Sequence, residues 1–134
     1  MMEIVFPGKK KVDAVTGSFR IATDQNSLSG GEGTAPEPFT YFLASIGTCA
    51  GIYIKSFCDQ RQLPGESIKI QQSWTYDPQE GRLSNITLAI QVPPDFPEKY
   101  DKALIQSSKL CAVKRHLDPT LAFDVTVERM SFGS

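Results

Sequence analysis

"PFTYFLASIGTCAGIYIKSFC", Pro38 to Cys58, decides how this chain is read. The stretch is apolar for about six helical turns. It carries one charge, Lys55, and two of the chain's three cysteines. A bilayer span needs about 20 apolar residues, so length alone admits a membrane helix. Composition opposes one. Small or polar residues (Thr40, Ala44, Ser45, Gly47, Thr48, Ala50, Gly51) fill its middle, and Lys55 lies inside its last turns; such residues are unfavourable in a lipid-facing helix. A helix apolar all round is buried on all sides. The expectation is therefore a core helix from Phe39 to Cys58 and no membrane association. One small chain has few elements to surround it, so a second subunit is expected to complete the cover.

The rest of the chain supplies what such a helix would pack against. Its 134 residues suit one domain, 1–134. The net charge is −1, with acids and bases interspersed, and no basic patch with interleaved aromatics points to nucleic acid. The start, "MMEIVFPGKKKVDAV", puts apolar residues before lysines, the wrong order for a secretory signal. A cytoplasmic protein with thiols rather than structural disulfides is expected.

Before the apolar stretch, "EIVF", "KVDAV" and "SFRIA" alternate apolar and polar residues between turn signals, which predicts a small meander of strands. "TDQNSLSGGEGTAPEP" is a loop. After it, "SIKIQQSWTY" places Ile68, Ile70, Trp74 and Tyr76 on one face, and "LSNITLAIQV" places Ile86, Leu88, Ile90 and Val92 likewise. Both read as half-buried strands joined by "DPQEGR". "DFPE" offers Asp95 as N-cap with Glu98 three residues on, a capping-box-like start. It opens the helix "EKYDKALIQSSKLCAVKRHL", which Ser107-Ser108 would divide. "LAFDVTVERM" closes as a strand. The class is α+β, an antiparallel sheet with a long buried central helix.

Three thiols invite a chemical reading. Cys49 lies among the smallest side chains, "ASIGTCAG". That collar suits either close packing of an inert cysteine or a small ligand beside a sulfur. Cys58 follows nine residues later, ~900° around the helix and so half a turn out of phase. It faces away from Cys49 and reads as incidental, in the polar end "KSFCDQRQ". Cys111, in "SSKLCAVKRHL", is flanked by Lys109, Lys114 and Arg115, which favour a thiolate; a packed structural cysteine is the alternative. Cys49 is too far from the start of its helix for the dipole to act on it. Any activating cation comes from another element, which singles out Arg20 and the run Lys9, Lys10, Lys11; for each the plain alternative is a solvated strand face. His116, the one histidine, is five residues from Cys111 and does not face it on a helix. No metal-ligand spacing occurs, and no cofactor is expected.

Together, "APEPFTYFLASIGTCAGIYI" and "SSKLCAVKRHL", with the hairpin between them and the closing "AFDVTVE", resemble the OsmC-like family of bacterial redox proteins, with its osmotically inducible and organic hydroperoxide resistance branches. The resemblance covers nearly the whole chain. It implies an OsmC-like fold as an intertwined homodimer with both cysteines at the subunit interface. It implies thiol-dependent, peroxiredoxin-type reduction of organic hydroperoxides in oxidative-stress defence. Cys49 would be the peroxidatic thiol and Cys111 the resolving thiol, with an external dithiol as reductant.

The chain departs from the pattern in one place. The peroxidase branches follow the helix-starting proline with a glutamate that holds an N-terminal arginine over the thiolate. Here Phe39 and Thr40 follow Pro38, Glu37 precedes it, and Arg20 falls on the strand after the one expected. Two other readings stand beside the enzyme: a non-catalytic dimer binding a small apolar ligand at the subunit interface, and a structural dimer with inert cysteines.

Overall fold

A computed structural model describes residues 1–110; Cys111, His116 and the expected closing strand lie outside the described residues. Three short strands, β1 (Glu3–Gly8), β2 (Lys11–Thr16) and β3 (Phe19–Ile21), form an antiparallel meander in that order. Its register pairs Ile4 with Ala14 and Ala14 with Ile21, so period-two alternation gathers these apolar residues on one face. A loop leads into α1 (Pro38–Gln60). Strands β4 (Lys69–Asp77) and β5 (Arg82–Gln91) form a second antiparallel sheet, with a bulge at Thr75/Tyr76. A 3-10 turn over Glu98–Tyr100 then enters α2 (Asp101–Ser108). The α+β expectation holds, with the antiparallel strands divided between two sheets.

Helix α1 starts and stops for local reasons. Pro38 occupies its first turn, where a missing N–H costs nothing and φ is already helical. At the far end Gln62 turns left-handed (φ 56°). The Leu63 N–H then reaches the Cys58 carbonyl at 2.9 Å, and the Gln62 N–H reaches that of Asp59 at 3.3 Å. This double closure is a Schellman end, and it folds Leu63 back onto the core.

The core sits where α1, α2 and the second sheet meet. Ile54, Phe57, Cys58, Phe96 and Leu104 are buried there, with Ile68, Ile70, Ile90 and Tyr100 packed around them. Full burial of each large apolar side chain contributes roughly 1.5–3 kcal/mol. Phe57 and Tyr100 meet edge-on at 5.8 Å between ring centroids, and the Arg61 guanidinium lies over the Phe57 ring, 3.8 Å from its centroid.

One expectation stands within a single chain and three need correcting. First, α1 is covered on one face, at Leu43, Ile46, Ala50, Ile54 and Phe57, while Tyr41, Ala44, Thr48 and Ile52 are exposed in the single chain, where a second subunit is expected to complete the cover. By length and composition alone it would pass for a membrane span, but its covered stripe packs on β4, β5 and α2. Second, Cys58 is 0% exposed and belongs to the core. The chain doubles back so tightly that a Cβ on Gly65 would stand 3.2 Å from the Cys58 Cβ. Third, Trp74 and Tyr76 are exposed. A two-residue step along a strand advances ~6.6 Å, more than four helical residues at 1.5 Å each. With Gln72 already opposite Leu43 and Gly47, Trp74 and Tyr76 fall level with the first turns of α1 or beyond them, where little of the helix is left to cover them. Fourth, Asp95 does not cap α2. The chain turns once more, Phe96 N–H to Pro93 carbonyl at 3.0 Å, and Pro97 precedes the 3-10 entry with no side-chain cap. The division expected at Ser107-Ser108 is where α2 ends.

Candidate functional site

Cys49 is half-buried on α1, and neither it nor Cys58 forms a disulfide among the described residues. Nine residues separate the two, half a turn out of phase. Because Cys58 is in the core, Cys49 lies off the covered stripe, ~60° around the helix from Ile46 and ~100° from Ala50. The polar residues of its collar are turned inward on the helix. Ser45 Oγ donates to the Phe42 carbonyl at 2.6 Å, and Thr48 Oγ1 donates to that of Ala44 at 2.8 Å. Such back-bonding satisfies the hydroxyls locally, so the surface around the sulfur stays small and weakly polar.

Beside this part of α1 lies a cavity of ≈580 Å³, walled by Ile46 and Ala50 on α1, Ile86 and Leu88 on β5, and Ile105 and Lys109 at the end of α2. A volume of this order suits a small organic ligand. A second, smaller cavity of ≈240 Å³ shares Leu88 and Ile105 as lining residues and is also lined by Asp101 and Leu104. The sequence reading missed this groove because its walls come from three elements. The apolar periodicity of each was visible, but their convergence was not.

The candidate cations are on the first sheet. Arg20 Nη1 donates to Asp13 Oδ2 at 2.6 Å, from an exposed position to a buried carboxylate. Lys9 and Lys11 pair with Glu32 at 3.0 and 3.3 Å. Hydrogen bonds from Lys9, then Lys11, hold that carboxyl below the usual glutamate range. Lys10 is exposed, its Cε 3.8 Å from where a Cβ on Gly30 would stand.

The loop between the first sheet and α1 is firmly built. Asp24, 1% exposed, accepts from the Thr34 hydroxyl at 2.7 Å, the Thr34 N–H at 3.1 Å and the Gln25 N–H at 2.8 Å. Its pKa falls to about 2, chiefly through the Thr34 hydroxyl and N–H and the Gln25 N–H. Glu37, just ahead of α1, accepts from Asn26 Nδ2 at 2.6 Å. The carboxylate nearest to where a helix-start glutamate would stand is thus engaged by a loop amide. Tyr41 ties α1 to the first sheet by donating to the Ala22 carbonyl at 2.7 Å. Burial pushes the Cys58 thiol up, with Asp59 adding to the effect. No group of three or more potential metal ligands is gathered among the described residues.

Comparison with known proteins adds the following. A family model described as OsmC-like protein matches residues 31–126. No curated protein matches the chain. Among solved structures, a Psychrobacter arcticus protein provisionally named for osmotic stress induction and a detoxification response superposes with a TM-score of 0.74 at 18% identity, covering 88% of each chain. An OsmC like protein from Mycoplasma pneumoniae gives 0.70 at 16% identity over 90% of this chain and 87% of its own. An organic hydroperoxide resistance protein from Legionella pneumophila gives 0.60 at 17% identity over 89% and 88%. At these identities the likeness shows the fold.

Proposed function

The chain belongs to the OsmC-like family, and on that footing we propose that it reduces organic hydroperoxides with two thiols, Cys49 as the peroxidatic and Cys111 as the resolving residue. In this scheme the Cys49 thiolate attacks the outer peroxide oxygen. An S–O bond forms, the O–O bond breaks, and the alkoxide leaves and takes a proton from water. The peroxide gains two electrons and the sulfur becomes a sulfenic acid. The Cys111 thiol then displaces hydroxide from that sulfur, giving a disulfide and water. An external dithiol returns both cysteines to thiols by exchange.

The observation that carries this reading is the position of Cys49. It is half-buried on the flank of α1, between Ile46 and Ala50 in the sequence, which line an apolar cavity whose other wall includes the end of α2, the element that leads into Cys111 in the sequence. An apolar peroxide fits such walls, and restricted water access protects a sulfenic acid from further oxidation. The Legionella protein of the same fold is named for organic hydroperoxide resistance. The working unit is a cytoplasmic homodimer. Arg20 or Lys10, both on or beside the first sheet, is the cation that favours the Cys49 thiolate.

One observation favours a second reading, a non-catalytic dimer that binds a small apolar ligand. Phe39 and Thr40 follow Pro38, and the neighbouring Glu37 is engaged by Asn26, so no carboxylate at the start of α1 is available to steady an arginine. Thiol titration before and after cumene hydroperoxide separates the two. Loss of two thiols per chain, abolished in Cys49→Ser, supports the reductase. Retention of all thiols supports the binding protein.

A further inference from the structure

We infer that the segment from Asp24 to Pro36 is a rigid flap, latched by Glu32 on Lys9 and Lys11, and that its opening releases Glu37 at the start of α1. The segment is closed at its base and braced within. The Asp24 N–H reaches the Pro36 carbonyl at 3.2 Å, so the two ends meet. Inside, Gly31 and Gly33 donate their N–H groups to the Asn26 and Gln25 carbonyls, each at 3.0 Å. Thr34 donates its N–H and its hydroxyl to Asp24. Gly31 packs so closely that a Cβ there would stand 2.0 Å from the Gln25 carbonyl oxygen. Such a compact, self-bonded Ω-loop moves as one body about its ends.

Little else holds this body down. Leu28, the one apolar side chain between Gln25 and Thr34, is 99% exposed, so hydrophobic burial contributes little to fastening this stretch. Among the described residues, two sets of side-chain contacts reach outward from the body. Glu32 pairs with Lys9 and Lys11 at the turn between β1 and β2, through accessible side chains, at 3.0 and 3.3 Å. Asn26 Nδ2 donates to Glu37, one residue beyond the base, at 2.6 Å. Accessible ion pairs are weak and are screened by salt, so the catch is soft while the body it holds is stiff. Asn26 belongs to the body and Glu37 does not. A swing that parts Glu32 from the lysines therefore also parts Asn26 from Glu37. Closed, the flap neutralises the hairpin tip and withholds the Glu37 carboxylate. Open, it presents Lys9, Lys11 and Glu37 to solvent together. The trigger is ionic, and it is independent of any chemistry at Cys49.

The test is carboxyl footprinting of the whole chain with a water-soluble carbodiimide and glycine ethyl ester, read by peptide mass spectrometry, with hydrogen exchange alongside. Glu32→Gln should raise labelling of Glu37 by roughly fivefold, the scale of two lost accessible ion pairs. Acetylation of Lys9 and Lys11 should rise in the same variant toward that of Lys10. Wild type should move the same way between roughly 0.01 and 1 M salt, as the screening length falls from about 30 to 3 Å. The amides of Gly31, Gly33 and Thr34 should keep their protection in Glu32→Gln, because the body retains its own bonds. Asn26→Ala should raise Glu37 labelling while Lys9 and Lys11 stay protected by Glu32. Unchanged Glu37 labelling in Glu32→Gln breaks the coupling and overturns the proposal, as does unchanged labelling in Asn26→Ala. Lost protection at Gly31, Gly33 and Thr34 overturns it too, since the loop would then loosen rather than swing.

Discussion

Gln72 lies across α1 at Gly47. Its Nε2 donates to the Leu43 carbonyl at 2.8 Å, and a Cβ on Gly47 would stand 2.3 Å from its Oε1. One amide on an otherwise apolar strand face thus fixes how close the sheet and helix come and where they sit along each other. Gly47→Ala should therefore behave against the usual rule. Alanine in a helix interior is normally more stable than glycine by roughly 1 kcal/mol. Here the methyl displaces the Gln72 amide and breaks its hydrogen bond, leaving a partly buried polar group short of a partner at roughly 1–3 kcal/mol. The expected outcome is a net loss of about 1 kcal/mol in denaturant unfolding, recovered when Gln72→Ala is added. A Gly47→Ala protein more stable than wild type would remove the register role.

That contact also marks what the sequence left hidden. The alternation in "SIKIQQSWTY" revealed a strand and its faces, and the sequence-stretch Pro38–Cys58 revealed a helix. Gln72 shares the parity of Ile70 and Trp74, but nothing local says that its amide meets a helical glycine 25 residues away. The same limit explains Trp74 and Tyr76, whose exposure depends on where α1 starts relative to β4. It explains Cys58 as well, since the polar residues after it conceal the reversal at Gln62 that buries it. For the site, Cys49 stood out through its small neighbours and the family pattern. The groove beside it needs α1, β5 and α2 together, and no single periodicity encodes that.

Asp24 gives the loop before α1 an acid-sensitive clasp. Its pKa is about 2 when folded against an ordinary 3.8. A carboxyl depressed by folding stabilises the folded state above its unfolded pKa, and this contribution is lost as pH falls through the folded value. The clasp should therefore weaken between about pH 4 and pH 2. Asp24→Asn removes the charge and turns one acceptor into a donor that faces the Thr34 and Gln25 N–H groups. The variant should unfold at lower denaturant at pH 7, and its midpoint should fall less than that of wild type between pH 4 and pH 2. Identical slopes in the two proteins would show that the carboxylate does not hold the loop.

Cys49 and Cys58 should differ in every thiol assay. Cys58 is fully buried in an apolar cluster and its thiol is pushed up by that burial, so alkylation must wait for opening of the fold. Cys49 is half-buried and should be modified first in native protein, as mass spectrometry of iodoacetamide time courses would register. Cys58→Ser puts a hydroxyl in the core and should cost roughly 1–3 kcal/mol of stability while leaving hydroperoxide consumption intact. Cys49→Ser should abolish consumption with little change in stability. Peroxide activity that survives in Cys49→Ser but not in Cys58→Ser would reverse the assignment.

The exposed apolar surface argues for a second copy of the chain. Phe6 is 78% and Phe19 71% exposed on the first sheet, Ile52 is exposed on the outer stripe of α1, and Trp74 and Tyr76 are exposed on β4. These residues lie on four elements, and patches of this kind on a small protein mark surfaces that another chain covers. A two-fold pair in which each chain offers both its sheet and its helix face would cover them reciprocally. Sedimentation at micromolar concentration should then give twice the 14.8 kDa chain mass. Unfolding midpoints should rise with protein concentration, because association is linked to folding. Replacing Phe6 and Phe19 together by serine should lower both the mass and the midpoint, while the same change in a monomeric protein would leave an exposed sheet face no less stable. A folded monomer whose midpoint ignores concentration would show that these aromatics are covered in some other way.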